Sequence, residues 1–140
     1  MNTKNEKCVL ILDAALPAGI AANTAAILGI SLGMKLPDVV GADVFDGKGM
    51  RHLGIIQFPV PVLKGNAQIL HEIREKLFQP EFETLTVVDF SELAQGFRTY
   101  EEFTAKMTET APENLKFLGL AICGQKRSVN RLTGNLPLFG

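Results

Sequence analysis

Two aspartates each close a short apolar run: Asp13 ends CVLILD and Asp89 ends TVVD. Runs of this kind read as buried strands, and in open α/β sheets sites collect beyond the carboxyl ends of strands. Two carboxylates held together there would share a proton or hold a cation. The competing reading is that each caps the following turn through a side-chain oxygen. His52, next to Arg51 at the start of another apolar stretch, has the residue type of a general base. Its competing reading is a half-exposed histidine at a strand edge, since no serine or cysteine stands at a recognisable spacing from it. Asp89 and His52 are the candidate catalytic residues. His71 falls among the charges of HEIREK and reads as solvated surface. Two histidines without paired spacing make no zinc motif, so neither metal nor cofactor is expected.

The candidate ligand-binding residues are Asp13, Asn23, Thr24, Lys64, Lys126, Arg127, Arg131 and Thr133. Asn23 and Thr24 interrupt an otherwise apolar helix, where they could line a pocket beside Asp89. Thr24 could equally bond back to a helix carbonyl. Lys64 follows the rigid Pro59-Val60-Pro61 segment, which would hold a basic side chain near a strand end. Lys126, Arg127 and Arg131 form the dense basic cluster of GQKRSVNR. Arg127 and Arg131 share a helix face, and a helix opening after Gly124 offers its amino terminus to an anion. An ordinary solvated face is the alternative.

These residues need elements to position them. Lys7–Asp13 reads as a central strand, followed by a helix from Pro17 to about Gly33, with Gly33 as its C-cap. A short strand is expected at Val39–Val44, with a hairpin turn at Asp46-Gly47-Lys48-Gly49. A further strand is expected at about Leu53–Phe58, ended by Pro59 and Pro61. Lys64–Phe78 follows helical spacing through Ala67, Leu70, Ile73 and Leu77. Thr84–Phe90 is a strand, Ser91–Gln95 a helical turn, and Thr99–Thr108 a helix opened by a Thr-x-x-Glu capping box. Phe117–Cys123 is the last strand, followed by a short helix at Gln125–Leu132 and an apolar tail that docks. Strands alternating with helices predict an α/β fold, a three-layer α/β/α sandwich whose mixed, mostly parallel sheet has about four strands.

Composition sets outer bounds. At 140 residues and 46% hydrophobic content, the chain can bury a core as one domain, residues 1–140. A net charge of −1 gives no overall attraction to nucleic acid or acidic membranes, so binding of tRNA would need the local basic cluster and is not favoured. Cys8 and Cys123 sit inside apolar runs without CxxC spacing and read as buried reduced thiols on neighbouring strands rather than a disulfide. Ala14–Met34 carries no charge, long enough to raise a membrane helix. Pro17, Gly19, Asn23, Thr24, Ser31 and its alanines make it too weakly hydrophobic, so the expectation is a soluble cytoplasmic protein. A helix so free of charge needs cover nearly all round, which predicts a homodimer through apolar surface.

VLILDAALPAG, the small-residue helix after it and the closing LTGNLPLF together resemble the type II peptidyl-tRNA hydrolase fold. Leu16 and Gly19 match that family's first turn, and Thr133, Gly134, Leu136, Leu138 and Phe139 match its tail. TVVD looks like the strand that delivers the family's functional aspartate, here Asp89. The family has a Lys-Gly-Lys pattern after the turn glycine and a glutamine one turn later. Those positions are Ile20, Ala21, Ala22 and Ala26, which supply neither phosphate contact nor charge stabilisation. The whole chain, including HLGIIQFPVPVLKG, looks closer to a bacterial relative, the domain-of-unknown-function family two-thousand, which shares the fold and has no established activity. The resemblance implies a protein without that hydrolase activity, binding a small ligand or partner as a homodimer. The alternative is a hydrolase of an aminoacyl or peptidyl ester or amide, tRNA-linked, using Asp89.

Overall fold

The computed structural model describes residues 5–140. Its strands are β1 (Glu6–Asp13), β2 (Val44–Phe45), β3 (Arg51–His52), β4 (Val62–Gly65), β5 (Thr86–Ser91) and β6 (Phe117–Gln125). Its α-helices are α1 (Ala18–Lys35), α2 (Ala67–Lys76), α3 (Glu92–Gln95), α4 (Tyr100–Glu109) and α5 (Lys126–Thr133). Four strands form a mixed sheet in the order β4-β1-β6-β5, and β2 and β3 form a separate hairpin.

Helices cover both faces, in the three layers expected. Along β1, side chains alternate between the two sides. Cys8, Leu10 and Leu12 pack towards Ala21, Leu28 and Leu32 of α1. Val9 and Ile11 pack towards Leu70 and Ile73 of α2 and Val129 and Leu132 of α5. The expectation of a mostly parallel sheet is corrected. β1 is parallel to β4 only; β6 lies antiparallel to both β1 and β5. A strand buried on both faces is a continuous apolar run whichever way it points, so its residues carry no sign of direction.

The strand expected at Leu53–Phe58 is also corrected. That segment makes a single bridge, Val40 to Ile56, and the sheet strand begins after the prolines. Pro61 cannot donate, yet its carbonyl accepts from Leu10 N–H at 3.0 Å and opens the β4 pairing. Gly33 does not end α1, which continues to Lys35. The tail docks on the outer edge of β4: Lys64 N–H donates to Pro137 O and Phe139 N–H to Val62 O, both at 2.8 Å.

Cys8 and Cys123 stand opposite one another on β1 and β6, as neighbouring strands require, but they are joined in a disulfide rather than reduced. The ladder accounts for the approach. Lys126 N–H donates to Asn5 O, which makes the pair three residues in from it a non-hydrogen-bonded one, the closer type. The Cα atoms of Cys8 and Cys123 are 4.1 Å apart.

Candidate functional site

Asn66 starts α2: its Oδ1 accepts from Ile69 N–H at 2.8 Å, satisfying a helix-end donor. Leu70, Ile73 and Leu77 then point into the core. His71 and Arg74 fall one position further round and flank the buried stripe, half-buried, while Phe78, beyond the end of α2, is exposed. Alternation along β5 turns Val87 and Asp89 to this same side of the sheet. The two elements meet where Arg74 Nε donates to Asp89 Oδ2 at 2.8 Å, with side chains 19% and 26% exposed. Phe78 lies under the guanidinium, 4.2 Å from ring centroid to Cζ. His71 Nε2 is 3.2 Å from the Pro112 carbonyl, to which only an N–H can donate, and 3.8 Å from Glu75.

These groups border a mostly apolar cavity of about 210 Å³, walled also by Met107 and Phe117. A second cavity of about 550 Å³ lies towards α1, between Ile27 and the aromatic cluster of Phe97, Tyr100 and Phe103. Asp89 borders both because β5 is an edge strand. The ladder parity that directs residues 119, 121 and 123 of β6 towards β5 leaves the main-chain groups of Val87 and Asp89 on the free edge. Alongside runs α4, capped by Thr99 Oγ1 accepting from Glu102 N–H and burying none of its residues.

The other sequence candidates are dispersed. His52 is exposed on the β2–β3 hairpin, its Nε2 2.9 Å from Asp46 Oδ2. That histidine, with the amides of Lys48 and Met50, holds the Asp46 carboxyl below the usual carboxylate range. Asp13 is buried, and its Oδ1 accepts from Ala15 N–H at 2.9 Å, closing the turn after β1. β6 separates β1 from β5 and Asp89 is level with Ile11, so Asp13 lies two strand spacings across and two residues along from Asp89, about 12 Å.

Asn23 is exposed on α1, whereas Thr24 is buried with its hydroxyl donating to Ile20 O at 2.8 Å. Thr133 is buried likewise and donates to Val129 O at 2.8 Å. Lys64 is exposed on β4. Lys126 and Arg127 border a shallow cleft at the start of α5, while Arg131 pairs with Glu81 at 3.0 Å beside a different one. The structure therefore brings Asp89 together with Arg74 and His71. Neither cavity beside Asp89 is lined by His52, Asp13, Lys64 or the basic cluster. Among the described residues, no group of three or more His, Cys, Asp or Glu side chains is placed to hold a metal ion.

Arg74 and His71 are the site residues that sequence reasoning passed over. Their signal was the spacing of His71, Arg74 and Phe78, which tracks the buried stripe one residue out of phase.

The family model described as Protein of unknown function (DUF2000) matches residues 6–139, so the chain belongs to that family. It is similar in fold to a solved structure of a protein of unknown function from Agrobacterium tumefaciens strain C58. The TM-score is 0.86, with 18% identity over 97% of this chain and 98% of that one. No curated protein matches the chain.

Proposed function

We propose that this member of the DUF2000 family is a non-hydrolytic binding protein with a type II peptidyl-tRNA hydrolase-like fold, and that its ligand occupies the cavity beside Arg74 and Asp89. One observation carries the reading: Asp89, the polar residue singled out for catalysis, is tied to the Arg74 guanidinium, and among the described residues no hydroxyl or thiol side chain lines the cavity the pair shares with His71. With Oδ2 engaged, the pair retains one carboxylate oxygen as an acceptor and the guanidinium terminus as a donor. That set complements an amide, and the apolar walls suit a compact hydrocarbon body. The tight turn from Asp13 to Leu16, where Leu16 N–H donates to Asp13 O, supports the fold relation. At the positions where the hydrolase family carries a lysine and its glutamine, α1 presents the exposed methyls of Ala22 and Ala26.

The test pairs a binding titration with a turnover assay. Short apolar carboxamides should shift the NMR signals of Met107 and Phe117. Arg74→Met and Asp89→Asn should each weaken binding at least tenfold, the loss expected for one charge-assisted hydrogen bond. An N-acyl-aminoacyl-tRNA substrate should remain intact. Absence of any shift at the cavity would remove the ligand reading. Turnover abolished in Asp89→Asn would establish the hydrolase alternative instead.

A further inference from the structure

The segment that follows α1 leaves the body of the protein as a hairpin arm, and its large apolar side chains have no cover. Phe45, Met50, Leu53 and Ile55 are 66%, 64%, 74% and 79% exposed. The base of the arm packs at the end of α1 through Leu36 and Ile56. On the outer face of α1, Ile30 and Met34 are 74% and 80% exposed. At about 150 Å² for each large apolar side chain, these six residues alone expose about 650 Å² of apolar surface. A single chain seldom leaves a patch beyond a few hundred Å² uncovered, and a stable interface takes about 800 Å² from each partner. The half-exposed Val40 and Val44, with the small residues of α1, supply the remainder.

We infer that this face is the contact between two copies of the chain, with the arm of each protomer laid against the outer face of α1 of its partner. The charge pattern selects a second copy as the occupant. Between residues 42 and 53 of the arm, Asp43 and Asp46 are balanced by Lys48 and Arg51, with Arg51 3.8 Å from Asp43 and the His52 ring 2.9 Å from Asp46. Between Ala14 and Met34 there are no charges. A two-fold contact therefore brings no uncompensated like charges together, while an acidic or basic partner would find no field to match. The shapes also differ in the required sense: projecting Phe, Met, Leu and Ile on the arm meet Ala22, Ala26 and Gly29 on the helix.

Sedimentation equilibrium of the full chain between 1 and 100 μM should return twice the 15.2 kDa chain mass. Leu53→Glu and Ile30→Glu, on the two halves of the contact, should each raise the dimer dissociation constant at least tenfold with an unchanged circular dichroism spectrum. Lys106→Glu on α4 should leave it unchanged. A monomer at 100 μM, or a dimer indifferent to both glutamates, overturns the inference. Co-sedimentation of a monomer with neutral phosphatidylcholine vesicles would assign the face to lipid and overturn it as well.

Discussion

How closely α1 approaches the sheet depends on a missing side chain. A Cβ at Gly119 of β6 would sit 2.9 Å from Leu12 Cδ2, 2.9 Å from Thr24 Cγ2 and 3.0 Å from Leu28 Cδ1. All three neighbours are buried. Gly119→Ala thus sets two effects against each other. Restricting the unfolded chain favours alanine by about 0.4–1 kcal/mol, and overpacking a filled core costs about 1–3 kcal/mol. The leucine methyls can turn aside. Thr24 cannot do so easily, because it is β-branched and its hydroxyl is bonded to Ile20 O. Overpacking wins, and the expected net loss is about 1–2 kcal/mol, equivalent to a fall in Tm of roughly 3–8 °C. Urea unfolding followed by circular dichroism measures it. Thr24→Ser removes the offending methyl and keeps the hydroxyl, so the double variant should recover at least about 0.5 kcal/mol relative to additivity. If Gly119→Ala matches the parent, or the two changes simply add, α1 does not pack at the stated distance.

Two other outcomes follow from local geometry. The Cys8–Cys123 bond closes a loop across a sequence separation of 115, for which chain entropy gives about 4–5 kcal/mol and measured disulfides typically about 2–4. Reduced protein should therefore unfold at distinctly lower urea concentration, and thiol titration of unfolded, unreduced protein should find none free; two titratable thiols would refute the bond. At Asp46 the sign is that of a depressed carboxylate: its hydrogen bond with His52 supports the hairpin above the ordinary value of 3.8 and is lost as pH falls through the lower folded value. Carboxyl NMR should place its midpoint below 3.8, and His52→Ala should move it upward; an unmoved midpoint would mean that His52 is not the cause.

Much of this protein is written in local pattern. CVLILD, TVVDFS and FLGLAICGQ are strands because continuous apolar runs of that length bury both faces, and Ala67–Lys76 is a helix because its apolar residues recur at helical spacing. Thr99 marks a helix start through an oxygen that accepts from the amide three residues on, a purely local interaction. Strand direction, register and the pairing of distant side chains are another matter. They depend on which residues a crossover brings face to face. Tertiary structure alone places β6 between β1 and β5, sets Cys8 against Cys123, and moves the edge strand past Pro61. It also turns Asp89 from a free carboxylate at a strand end into half of an ion pair. Its partner, Arg74, lies 15 residues away on a helix whose own sequence presented it as surface.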